Sequence, residues 1–412
     1  MNIYGVIILV ALLFEYALNL IADLLNLQTL SADLPKEFAG VYSPESYMKS
    51  QDYTLSRTNF GIVESTFSLV VTLIFWFIGG FNYLDQMVRQ LQYGDLITGL
   101  IYIALLLLFR SILSLPFSVY STFVIEEKFG FNKTTPKTFI VDIVKGLLLG
   151  VLLGGPLLLG ILAFFEYAGS LAWLYCWMTA SLFILFVQFI APTWIMPLFN
   201  KFTPLESGEL KNAILSYTQS VHFLFRDVFM MDGSKRSSKS NAFFTGFGKN
   251  KRIALFDTLI QKHTVAELVA VLAHEIGHYK KKHILQGIVI SIVQMGVMFF
   301  LMSIFISRKE LFDAFFMQNV SIYAGLLFFG LLFTPIEFIL SLALNALSRK
   351  NEFEADRFSA ETTERPETMI EALKKLSADN LSHLTPHPFY VFINYSHPPV
   401  LERIRSIRII TR

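Results

Sequence analysis

The sequence predicts a mainly α, polytopic membrane protein: seven transmembrane helices joined to a cytoplasmic, zincin-like catalytic unit with a small β-hairpin. Three observations predict it. The 412 residues are 54% hydrophobic and 16% charged, where a soluble chain carries about 25% charged residues. Seven stretches stay apolar over about 20 residues, the length that crosses a hydrocarbon core of about 30 Å. The segment VLAHEIGHYKKKHILQGIVI, residues 271–290, opens with a zinc-hydrolase motif and ends as the start of an apolar span.

The spans are expected at 4–25, 62–81, 98–125, 146–165, 171–195, 284–306 and 320–347. The first lacks the basic start of a signal peptide, so it reads as a membrane helix. The domain organisation follows: transmembrane helices 1–5 in 1–195, a catalytic domain with hairpin and HExxH helix in 196–283, transmembrane helices 6–7 in 284–347, and a C-terminal catalytic segment in 348–412. Composition bounds the function too. A net charge of +2 gives nucleic-acid binding nothing to rest on, and the lone Cys176 rules out a disulfide framework within one chain.

Orientation comes from charge beside the span ends. The short loops 82–97, 166–170 and 307–319 hold one, zero and two Lys/Arg, whereas 26–61, 126–145, 196–283 and the tail from Ser348 hold 3, 4, 13 and 10. Lys280, Lys281, Lys282, Arg349 and Lys350 lie next to spans. The N-terminus is therefore expected outside, with the 196–283 loop and the C-terminus in the cytoplasm. Gly146, Gly150 and Gly154 repeat every fourth residue, which reads as a close helix-packing face. Glu15, Glu64, Arg110 and Glu337 fall within spans and call for partners or water, with ion pairing to Arg110 as the plain alternative to a functional role.

His274 and His278 are four residues apart, one turn on one helix face. Glu275 between them points about 100° away, beside a metal rather than on it. Thr264 and Glu267 have the spacing of a capping box, which starts the helix. A catalytic zinc takes three protein ligands and leaves a position open. His283, His222, His263 and the acidic cluster NEFEAD are the candidates for the third. In that cluster Glu352 and Asp356 share a face and Glu354 points elsewhere. The ends of the sixth and seventh spans would bring the cluster to the histidines, which places hydrolytic chemistry at a bilayer surface.

These residues resemble the type I CAAX prenyl protease family. The resemblance rests on HEIGH together with IEEKFGFNK (125–133), PLFNKFTPL (197–205), SNAFFTGFGKNKRIALFDTL (240–259), NEFEADRFS (351–359) and YSHPPVLERI (395–404) in family order. It implies one Zn2+ per chain held by His274, His278 and Glu352, Glu275 as general base, Asp356 steadying a ligand, and His397 steadying the reacting carbonyl. It also implies a water-filled chamber among the helices, and a prenylated or membrane-associated peptide as substrate. SNAFFTGF and RIALFDTLI, joined by GKNK, read as a hairpin whose edge can pair with an extended peptide near Asn241 and Ala242. KRSSK (235–239) reads as a solvated loop, with membrane lipid as the lesser alternative. Two other functions stay open: a broader quality-control protease for membrane proteins, and a seven-span transporter or receptor with a structural zinc.

Overall fold

The computed structural model describes residues 1–224, 227–245 and 252–410. Seven helices are long and apolar enough to cross a membrane: Ile3–Gln28, Pro44–Phe77, Asp95–Glu126, Pro136–Tyr167, Gly169–Phe199, His283–Phe305 and Ile322–Thr363. All seven expected spans are present. Three of the helices overrun the apolar stretches that locate them by ten residues or more, the fourth beginning at Pro136. The second begins at Pro44, capped by the Ser43 hydroxyl, and the seventh continues to Thr363 as one helix of 42 residues. Its length is about 63 Å at 1.5 Å per residue, roughly twice the thickness of a hydrocarbon core.

The spans are tied together most tightly at the end away from the HEIGH motif. There Ile8, Trp76, Phe81, Tyr102, Phe315 and Phe328 form a buried cluster, and the Trp76 indole donates to the Ala314 carbonyl at 2.8 Å. A second buried cluster joins Cys176, Phe299, Phe329 and Phe333 of the fifth, sixth and seventh spans, and the Trp177 indole donates to the Ile292 carbonyl at 2.8 Å. Only 6 to 22% of each apolar window is buried. A Cβ added at Gly146, Gly150 or Gly154 would meet nothing within 4 Å, so the expected packing face is not one. The helix instead loosens into a π-type turn over Gly150–Gly154. Glu64, Arg110 and Glu337 are exposed and Glu15 is half-buried. Among the described residues no ion pair joins Arg110 to any of the three glutamates.

The polar unit is a four-stranded sheet on helices. β1 (Phe202–Pro204), β2 (Asp227–Met231), β3 (Ala242–Thr245) and β4 (Arg252–Phe256) lie in the order β1-β2-β4-β3. β3 and β4 pair antiparallel, as the hairpin reading expects; the GKNK junction lies outside the described residues. β4 pairs parallel with β2, and β3 forms one open edge. The sheet and the HEIGH helix, Val265–Lys280, close over Val228, Ile253, Leu255, Leu268, Leu272 and Ile276. A second core joins Ala270 of that helix to Phe38 and Tyr42 from the first long loop, to Tyr47 in the first turn of the second helix, and to Ile370, Ile404 and Ile407 near the C-terminus.

The basic run 235–239 is a fastener rather than a solvated loop. Arg236 grips Asp142 at the start of the fourth span through two bonds of 2.7 and 2.9 Å. Lys239 reaches Glu126 at 3.0 Å and the Tyr53 hydroxyl at 2.7 Å, over the ring of Phe131. Fork-to-carboxylate pairs of this kind are directional as well as strong. The polar unit is thereby fixed to the ends of the second, third and fourth helices.

Candidate active site and metal centre

The HEIGH helix starts where its sequence says it should. Thr264 accepts from the Glu267 N–H at 3.3 Å and Glu267 returns the bond to the Thr264 N–H at 2.9 Å, a reciprocal capping box. The helix then packs on the extension of the seventh span. Gly277 permits their close approach, because a Cβ there would stand 3.1 Å from the Ala355 Cα. That contact sets Glu352, three residues before Ala355, against His274 and His278.

Three donor atoms converge. The two Nε2 atoms of His274 and His278 are 3.2 Å apart. Glu352 Oε2 is 3.4 Å from His274 Nε2, and Oε1 is 3.3 Å from His278 Nε2. An ion about 2.0–2.1 Å from nitrogen and carboxylate donors in tetrahedral geometry spaces them about 3.3 Å apart. The Glu352 Oε2 atom is buried without a hydrogen-bond partner, which in an interior is costly unless something charged completes it. The set fits a metal ion, and among the described residues it is the one group of three or more His, Cys, Asp or Glu side chains that does.

The other candidates for the third donor lie elsewhere. His222 is exposed at the end of the helix Glu209–Ser220. His263 is buried between Glu267 at 3.4 Å and Asp379 at 3.6 Å. His283 stands behind His278, Nδ1 to Nδ1 at 3.1 Å.

Asp356 is fully buried. Its Oδ1 lies 2.9 Å from His274 Nδ1, which leaves the Nε2 lone pair free toward the other donors. Arg403 holds both oxygens of the same carboxylate, at 2.6 and 2.8 Å, with its Nη2 on the oxygen that faces His274, and its Nη1 is 3.5 Å from Glu352 Oε2. Sequence reasoning missed Arg403, which lies within the YSHPPVLERI block. Asking which cation offsets two buried carboxylates would have pointed to it. His397 Nε2 is 3.3 Å from Glu352 Oε1, and the ring is mostly exposed beside Ser396.

A cleft of about 640 Å3 runs over these groups, with Ser240, Asn241 and Ala242 on one wall and Glu275 and His397 on others. The Asn241 carbonyl accepts from the Phe256 N–H, so Ala242 turns its own N–H and C=O to the open edge. That N–H is held at 2.8 Å by the Asn241 side-chain oxygen. Burial pushes the Glu275 carboxyl up from its ordinary range, against the pull of His274 and His278. Raised basicity beside a candidate metal suits a group that takes and returns a proton.

Comparison with known proteins decides the family. A model of peptidase family M48 matches residues 204–411, and a model described as the CAAX prenyl protease N-terminal region with five membrane helices matches residues 23–201. The chain belongs to peptidase family M48. Among similar proteins, a CAAX prenyl protease 1 homolog of rice is 36% identical over 91% of this chain and 90% of its own length. The human homolog is 33% identical over 91% and 88%. The crystal structure of S. mikatae Ste24p superposes with a TM-score of 0.94 at 32% identity, covering 99% of both chains. With its seven spans, this M48 peptidase is a multi-pass membrane protein.

Proposed function

We propose that this peptidase is a zinc endopeptidase that cleaves prenylated proteins near their C-terminus, at the membrane surface. The observation that carries the reading is the donor triangle of His274, His278 and Glu352, beside Glu275 and on the extension of a membrane span. Charge supports it: three carboxylates, Glu275, Glu352 and Asp356, stand against one guanidinium, Arg403, and a divalent ion makes up the balance. When bound, zinc would supply a water of lowered pKa and polarise the scissile carbonyl.

The chain's own groups do the rest. The edge of β3 at Asn241 and Ala242 pairs with the extended substrate, once the Asn241 side chain releases the Ala242 N–H. Glu275 takes the proton of the attacking water and passes it to the leaving amine. His397 donates to the oxyanion. Asp356 and Arg403 keep His274 in one tautomer.

The substrate class is tested with a farnesylated C-terminal CAAX peptide against its unprenylated twin, using the protein purified in detergent. Strong preference for the lipidated peptide is expected, as the names of the rice and human relatives suggest. Equal cleavage of both would sink the prenyl reading and favour the broader membrane quality-control role.

For placement, we propose an outside N-terminus and a cytoplasmic catalytic face in the endoplasmic reticulum or a bacterial inner membrane. The eukaryotic sources of the relatives favour the former. A C-terminal tag should then be cleaved by protease added to the cytoplasmic side of sealed vesicles. A tag protected until detergent is added would reverse the orientation.

A further inference from the structure

We propose that His283 and Glu354 are positioning residues that hold His278 in the tautomer and orientation a metal ion needs. The proposal rests on the reading of His274, His278 and Glu352 as metal donors.

The proton assignment follows from four distances. His278 Nε2 faces the other donors, 3.2 Å from His274 Nε2 and 3.3 Å from Glu352 Oε1. A lone pair must be free there, so the His278 proton sits on Nδ1. That nitrogen is 3.1 Å from His283 Nδ1, which must then accept. The His283 proton therefore sits on Nε2, 3.2 Å from Glu354 Oε2. A carboxylate accepts and completes the chain. Reversing any one link leaves two donors or two acceptors facing each other. His274 has the matching arrangement, with its Nδ1 2.9 Å from Asp356, so each histidine is held from behind by its own line of partners.

Local structure explains how His283 gets there. Lys282 adopts a left-handed conformation, φ 62°, between the HEIGH helix and the sixth span. The turn sets His283 as the first residue of that span, with a side chain only 7% exposed. Glu354 is two residues from Glu352, about 200° round the helix, which is why helical spacing alone sets it aside. It reaches the site through a residue of another helix. At its outer end it is 41% exposed, with Lys350 Nζ at 3.9 Å.

The test measures zinc affinity of the full-length protein by chelator competition, together with the visible absorption of the cobalt-substituted form. His283→Ala is expected to weaken zinc about 10- to 100-fold, the usual cost of losing such a partner, and to alter the cobalt spectrum. His283→Asn places an amide oxygen close to the lost Nδ1 and should keep affinity within a few-fold of the parent. Glu354→Gln still offers an oxygen acceptor and should also stay near the parent, whereas Glu354→Ala loses about tenfold. Equal zinc affinity and unchanged cobalt spectra across all four variants would overturn the proposal. If His283→Ala does not fold, the Glu354 pair decides, and equal affinity of Ala and Gln there overturns it. A parent protein that binds no zinc would overturn the metal reading itself, and this proposal with it.

Discussion

Glu275→Gln should lower turnover of the farnesylated peptide by about 10²- to 10⁴-fold, the contribution of a positioned general base, while zinc content stays at one per chain. The amide has nearly the shape of the carboxylate but cannot carry a proton between water and the leaving amine. Metal retention is expected because Glu275 is not among the three converging donors. Thermal stability of the metal-free protein should hold or rise. Burial raises the folded-state pKa of this carboxyl, so the ionised form costs stability as pH rises above its unfolded value, and the neutral amide removes that cost. Turnover kept near the parent level would end the role assigned to Glu275. Loss of zinc in this variant would instead mean that the donor set is wrong.

Arg403→Leu should destabilise the protein by about 3–5 kcal/mol, because it strips a buried carboxylate of its partner. Asp356 is fully buried and receives two bonds from Arg403, at 2.6 and 2.8 Å. With the guanidinium gone, that carboxylate is free to turn from His274, and zinc affinity should fall about 10- to 100-fold. Arg403→Lys should recover only part of the loss, since an ammonium cannot make the two-pronged contact. The decisive measurement is a double-mutant cycle in thermal or denaturant unfolding. Adding Asp356→Asn to Arg403→Leu removes the stranded charge, so the double variant should be more stable than the sum of the two single losses. Simple additivity would mean that the two side chains do not act as a unit.

Most of the membrane part was legible because hydropathy over 20 residues is a strong signal. Its failures share one cause. Apolar runs report contact with lipid, whereas helices end where backbone hydrogen bonding ends, so Pro44–Phe77 and Ile322–Thr363 overran the stretches that located them. The glycines at 146, 150 and 154 misled for a related reason: their spacing describes a face, and only the neighbouring helices decide whether anything covers it. In the sheet, the hairpin strands were legible from β-rich runs. β1 was not, being three residues ending in Pro204 at an edge, where proline is tolerated.

At the site, residues that share one helix were readable by arithmetic. His274, Glu275 and His278 follow from helical spacing, as does the common face of Glu352 and Asp356. Groups that enter from other elements were harder. Arg403 reaches Asp356 from 47 positions away, and no local pattern encodes that meeting. His283 was weighed as a metal donor and is found one ring behind the donors.

The seventh helix carries Glu352 on the same unbroken rod that passes through the bilayer. Its length is consequently part of the chemistry. One residue inserted between Pro335 and Glu352 would swing that carboxylate about 100° and advance it about 1.5 Å, with the lipid-facing composition scarcely altered. The last membrane helix should therefore tolerate exchange of its apolar side chains far better than any change in their number. Within this chain, counting residues across the bilayer keeps the candidate metal site in register.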